Sequence, residues 1–393
     1  MAGFLTKVRG RIERWLPVDG YHCDRPLVLL QSDDWGRVGI RDREGLEQLK
    51  AAGLQLGEKQ YDSYTLETAE DLAALQAVLR KHRDSVGNHP CVQMNFLLFN
   101  LDFEKMATGG YSEIHLKPLS AGLPGKWRRS GLVEAYRAGM DAGVFWPAVH
   151  GTTHFCRPAV ERSLAGGGDR TDLLRTLWQA ETPYIHWRMP WVGYEYWEPE
   201  QSEEERFLPA EVQRELIGAA VGEFAKLFSL LPRSACAPGY RANDDTWRAW
   251  SQHGVRVAQD GPENCLPPHF DRHGMLHLSR TVEFEPATDA AFSVAACLRQ
   301  AEAAFERGVP AVVSVHSINF HSTVKDYRGA TLAALDEFLQ ALEAQHSDLL
   351  YLRDEDLDEA VRTGSYRSAG GGRSLNIVRK SFTPSQWAKQ GSP

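Results

Sequence analysis

The chain has 393 residues, 42% of them hydrophobic, enough for one large domain or two ordinary ones around a sizeable core. Its net charge of −8 offers no broad basic field for a phosphate backbone, which argues against nucleic acid as a partner and for an enzyme acting on small or glycan substrates. Six scattered cysteines without a C-x-x-C pair, and no apolar run of about 18 residues, exclude a zinc ribbon, a dithiol redox motif and a spanning helix.

Residues 1–24 read as a separate N-terminal segment. Phe4, Leu5, Val8, Ile12, Trp15 and Leu16 recur at helical spacing between Lys7, Arg9, Arg11 and Arg14. Such a stripe commonly docks on its own domain, and residues 4–16 are alternatively suited to peripheral contact with an anionic membrane face. Charges interrupt the segment too often for the apolar region of a signal peptide, so the expected location is cytoplasmic.

From residue 25 onward, strand-like runs fall at 27–31, 91–97, 144–149, 234–237, 255–259, 275–279, 310–316 and 348–352. Helical patterns lie between many of them, the clearest starting at Leu66, Pro209 and Thr331. This alternation predicts βα units around a mostly parallel sheet, open or closed into a barrel. Two long connections, around 101–130 and 157–208, are expected to lie over the active face. The second holds Trp187, Trp191, Tyr194, Tyr196 and Trp197, suited equally to stacking on sugar rings and to a satellite core. Residues 363–393, basic and Gly/Ser-rich, read as a flexible tail.

Ligands of parallel α/β folds bind at the carboxyl ends of the strands, and those positions are polar here. Asp33 and Asp34 follow the first strand, His150 the third, Pro238-Gly239-Tyr240-Arg241 the fourth, and His316 ends Val312–Val315. His150 and His154, four residues apart, can reach one ion if the segment is helical or tightly turned. Two histidines and one carboxylate complete a catalytic metal set, giving Asp34, His150 and His154 as ligands and leaving Asp33 to take a proton from the attacking water. Alone, H-x-x-x-H is a weak signal. Its position after a strand, with a carboxylate pair after another strand, strengthens it.

Ser32-Asp33-Asp34-Trp35-Gly36, His150-Gly151-Thr152-Thr153-His154, the Ala237–Asp244 segment APGYRAND and Val313-Ser314-Val315-His316 together resemble, in this order, the motifs of the polysaccharide deacetylase family, the NodB-like carbohydrate esterases of family 4. The resemblance spans roughly residues 25–360, carried by four short motifs. It implies a catalytic domain over 25–362, an α/β fold built as a distorted or incomplete (β/α) barrel of seven strands, with loop insertions over the active face. It also implies metal-dependent hydrolysis of an N-acetyl group on an amino sugar; the expected cytoplasmic location points to a nucleotide- or lipid-linked precursor rather than a finished polymer. Asp33 would be the base, His316 the acid toward the departing amine, and a backbone N–H near Tyr240 a donor to the oxyanion. Zinc suits the ligand set first, and cobalt, manganese or nickel would also bind it.

The departures from the family pattern raise their own expectations. An arginine usually stands two residues before the proline of the third motif, where it steadies the catalytic aspartate; this chain has Cys236 there. Arg241 is the preferred substitute and Arg188, in Arg188-Met189-Pro190-Trp191, the second candidate. Trp35, Tyr240, Arg188 and Trp191 are the expected substrate-binding residues. Asn243, Asp244 and Asp245 read as helix caps. A non-catalytic glycan-binding protein and a metal-dependent glycosyltransferase are the competing readings, the latter leaving both histidine motifs without a role.

Overall fold

Leu27–Trp35 forms a nine-residue strand buried along its whole length in the computed structural model, which describes residues 17–262, 266–368 and 371–383. A strand covered on both faces is continuously apolar rather than alternating, as Leu27–Leu30 is. Its parallel neighbours are Ala311–His316 on one side and Val92–Leu97 on the other. Phe145–Gly151, Ser234–Cys236, Val257–Asp260 and Leu276–Ser279 continue the parallel path. Val282–Glu283 extends it beyond Ala311–His316.

Only Arg280 and Thr281 separate Leu276–Ser279 from Val282–Glu283, so one run of chain serves both ends of the path. The switch happens between two residues: the Arg280 N–H donates to the Asp260 carbonyl at 3.2 Å, and the Thr281 N–H to the Val312 carbonyl at 3.0 Å. The α/β sheet is thereby curled into a distorted barrel joined at this seam. Each strand-like run read from the sequence corresponds to a strand, including Leu350–Tyr351, which pairs with Leu27 and Val28.

Helices cover the outside. Ala210–Phe228 buries Ile217, Ala220, Val221, Phe224, Leu227 and Phe228 on one stripe and packs against Phe145–Gly151. Thr68 caps Ala69–Leu79 through a reciprocal pairing with Asp71, and Asn243 caps Asp244–Gln252 in the same way with Thr246. The long connections carry structure of their own. Phe103–Thr108 is helical and Phe99–Leu101 pairs with Leu116–Pro118, while Arg157–Gly166 and Asp169–Gln179 are helices.

The two ends of the described chain pair with each other. Val18–Cys23 pairs antiparallel with Ile377–Phe382 over six residues, and His269–Phe270 joins this pair to the barrel. Ser365–Ser368 and Gly371–Ser374 form a hairpin. Within the segment read as a flexible tail, Ser365–Ser368, Gly371–Ser374 and Ile377–Phe382 are strands. The amphipathic stripe at 4–16 and Cys265 lie outside the described residues. Among the described residues the cysteines are unpaired, and no helix is long and apolar enough to cross a membrane.

Candidate metal centre and active site

Parallel register places the site at the carboxyl ends of the strands, with His316 beside Asp33 and Gly151 beside Leu97. The regular pairing of Leu27–Trp35 breaks between Ser32 and Trp35, and Asp34 adopts a left-handed φ of 74°. Several neighbours hold this turn in place. The Tyr64 hydroxyl donates to the Asp34 carbonyl at 2.8 Å, Glu67 Oε1 accepts from the Gly36 N–H at 2.9 Å, and the Asn100 amide bridges Gly36 and Val38. The two adjacent carboxylates consequently face different partners.

Asp34 Oδ1 is buried without a hydrogen bond, 3.7 Å from His150 Nε2 and 3.4 Å from His154 Nε2. Ligand atoms sharing one tetrahedral ion at about 2.1 Å would lie about 3.4 Å apart, so this trio fits a divalent metal. His150 Nδ1 donates to the Cys236 carbonyl at 2.9 Å, which turns the Nε2 lone pair toward Asp34. Burial lowers the pKa of both imidazoles, keeping them neutral as ligands must be. Asp33, His150 and Cys236 form a second candidate trio. Both carboxylate oxygens of Asp33 are already taken up by Arg280 and Asn95, so this trio fits a metal less well. Asp34 Oδ2 accepts from Arg37 Nη1 at 2.8 Å. Burial opposes ionisation of Asp34, but the Arg37 guanidinium above all holds its pKa well below the usual range.

Asp33 is gripped by Arg280, a residue the sequence reading did not single out. Arg280 Nη2 donates to Oδ1 and Nη1 to Oδ2, each at 2.7 Å, and Asn95 Nδ2 adds a bond to Oδ1 at 2.6 Å. Arg280 has no exposed surface, and burial would raise the Asp33 pKa if the guanidinium did not push it well below the usual range. The steadying arginine therefore comes from the barrel seam, and neither expected substitute has that role. Arg241 lies over the Trp197 ring at 4.8 Å. Arg188 lies over Trp187 and near Asp62, 3.7 Å away.

His316 stands on the other side of Asp33, its Nε2 3.9 Å from Oδ2. Glu285 Oε1 accepts from His316 Nδ1 at 2.6 Å and from its backbone N–H at 3.0 Å. Burial disfavours the charged ring, but Glu285 and then Asp33 raise its pKa to about 9. Glu285 also escaped the sequence reading, although Glu283-Phe284-Glu285-Pro286 places a carboxylate just beyond a strand end.

Asp33, Asp34, Arg37, His150, His154, Tyr240, Arg241 and His316 border one cavity of about 440 Å³, with Tyr61, His186, Trp187 and Tyr194 forming an aromatic wall. Tyr240 borders the cavity, its hydroxyl accepting from Arg280 Nη1 at 2.8 Å. Its backbone N–H already donates to the Ala237 carbonyl and is not a free oxyanion donor. The other three expected binding residues lie elsewhere. Trp35 is fully buried and stacks on Phe320 at 5.9 Å, because the left-handed turn at Asp34 carries it into the core. Trp191 is covered by Arg170 at 4.9 Å and does not border the cavity. Arg188 also lies outside the cavity lining, behind Trp187.

The histidine turn has a hidden support. Glu195 Oε1 accepts from the Thr152 N–H at 2.7 Å and from the Thr152 hydroxyl. A Cβ on Gly151, whose φ is 143°, would come within 2.0 Å of Glu195 Oε2. Glycine at this position leaves room for the carboxylate that anchors the turn.

No family model matches the chain, and no curated protein matches it. Similar solved structures include a probable polysaccharide deacetylase of Pseudomonas aeruginosa PAO1, at 14% identity and TM-score 0.43, covering 87% of this chain and 92% of the other. The α-amylase AmyC of Thermotoga maritima aligns at 9% identity and TM-score 0.44, over 86% and 75%. BA3943 of Bacillus anthracis, described as a CE4 family pseudoenzyme, aligns at 10% identity and TM-score 0.37, over 86% and 66%.

Proposed function

We propose that the chain is a metal-dependent hydrolase that removes acetyl groups from an N-acetylated amino sugar. The observation that carries this reading is the convergence of Asp34, His150 and His154 beside an ionised Asp33 and a protonated His316. A divalent ion, zinc first among the candidates, supplies Lewis acidity toward the amide carbonyl and a water nucleophile when bound. Asp33 takes the water's proton, most directly at Oδ2, the oxygen that faces His316. Its low pKa keeps the carboxylate proton-free at neutral pH, and Arg280 fixes its direction and balances its charge. His316 Nε2 gives a proton to the amine nitrogen as the C–N bond breaks, yielding acetate and a free amine. Glu285 keeps that proton on the ring up to about pH 9. The aromatic wall of Tyr61, Trp187 and Tyr194 offers flat faces to a sugar ring.

The non-catalytic reading drew its support from Cys236 standing where an arginine was expected. Arg280 meets that need from the link between two strands, which weakens this support. Metal analysis joined to an acetate-release screen over acetylated amino sugars tests the proposal. Bound metal with acetate release, lost in Asp33→Asn and in His316→Ala, is expected; retained release in both variants refutes it.

A further inference from the structure

The acids and bases of the site are matched one to one. Asp33 pairs with Arg280, Asp34 with Arg37, and Glu285 with His316. Arg241 is the cation left over. It borders the cavity, is exposed, and among the described residues no acidic group pairs with it. Its guanidinium lies 4.8 Å over the Trp197 ring, so one face is covered, and the edges, which carry the N–H donors, make no hydrogen bond among the described residues.

The backbone leading to Arg241 is built for this placement. Gly239 and Tyr240 are both left-handed, with φ of 59° and 56°. A Cβ on Gly239 would come within 2.4 Å of the Tyr194 ring, and the Arg241 N–H is tied to the Pro238 carbonyl. Arg37 adds to the charge imbalance: it already balances Asp34, so a divalent ion held there would bring positive charge with no further acid in the cavity lining to oppose it. A neutral sugar gains nothing from that field. An anion does.

We propose, resting on the deacetylase reading, that the substrate is an acidic amino sugar whose carboxylate or phosphate is bound by Arg241 at the cavity rim, next to the acetamide. The planar fork of Arg241 matches either anion, and the Trp197 face restricts its motion.

The test uses the metal-loaded full chain. Acetate release is compared for neutral N,N′-diacetylchitobiose, for the phosphate-bearing N-acetylglucosamine 1-phosphate and UDP-N-acetylglucosamine, and for the carboxylate-bearing N-acetylmuramic acid, in wild type, Arg241→Gln and Arg241→Lys. One anionic class is expected to exceed the neutral sugar by about tenfold or more in kcat/KM at low salt. That ratio should fall to about threefold or less in Arg241→Gln, while Arg241→Lys keeps most of it. The favoured member identifies phosphate or carboxylate. Equal use of neutral and anionic sugars, or a preference that survives Arg241→Gln, overturns the inference. Tryptophan fluorescence titration with the same sugars separates the two proposals. Binding that depends on Arg241 without acetate release defeats the deacetylase reading alone, and Arg241-independent binding defeats this one.

Discussion

Glu285→Gln should move the alkaline limb of the pH–rate profile. In the wild type, His316 Nδ1 lies 2.6 Å from the Glu285 carboxylate and its pKa is raised to about 9 from the ordinary 6.5. The acid form is present below that value and is lost as pH rises through it, so kcat should fall above about pH 9. Removing the Glu285 charge leaves Asp33 and Asp34 as the remaining sources of the increase, and the ring, 28% exposed, is partly screened. The limb should therefore stop between the two values, near about 7.5. At about pH 8 the protonated fraction then drops from about nine-tenths to about a quarter, a fourfold loss that vanishes near about pH 6. Initial rates of acetate release from about pH 6 to about pH 10 measure it. Asn319 also donates to Glu285 at 2.7 Å, so thermal unfolding must accompany the assay. A limb that remains near 9 in a folded variant would refute the assignment of His316 as the acid.

The two adjacent aspartates should separate cleanly. Asp34→Asn is expected to bind less than about a tenth of the wild-type metal by elemental analysis, whereas Asp33→Asn keeps the metal and loses about a thousandfold in kcat. Arg280→Met leaves Asp33 buried without its cation and should cost about 3–5 kcal/mol in urea unfolding, while Arg241→Gln changes stability by about 0.5 kcal/mol or less. Equal costs would return the pairing role to Arg241. Gly151→Ala drives a methyl group into Glu195 and should destabilise by about 2 kcal/mol. Combined with Glu195→Ala in a double-mutant cycle it should show a coupling of about 1 kcal/mol or more, and strict additivity would dismiss the clash.

Much of the fold was legible because buried parallel strands declare themselves as short apolar runs, and the site because its polar residues end those runs. Arg280 was missed for a local reason. Ser279-Arg280-Thr281-Val282 looked like the end of one strand at Ser279, when the arginine inside Leu276–Phe284 was the trace of a charge paired within the barrel. Trp35 was misread because strand alternation fails where Asp34 turns left-handed, and φ is not written in the sequence. The C-terminal segment was misread because glycine, serine and arginine carry little strand propensity. Its partner, Val18–Cys23, lies at the opposite end of the chain, beyond the reach of any window of neighbouring residues.

The seam at Arg280 and Thr281 links architecture to reactivity. The backbone of Arg280 bonds to Asp260 on one edge of the sheet and its neighbour bonds to Val312 on the other, while the Arg280 side chain charges the Asp33 pocket. Loosening the seam would shift the guanidinium, and the Asp33 carboxyl would drift upward toward protonation as burial took over. As the proposed base, Asp33 is held ionised where the seam keeps Arg280 against it, so its titration reports on that seam and can be followed without any substrate.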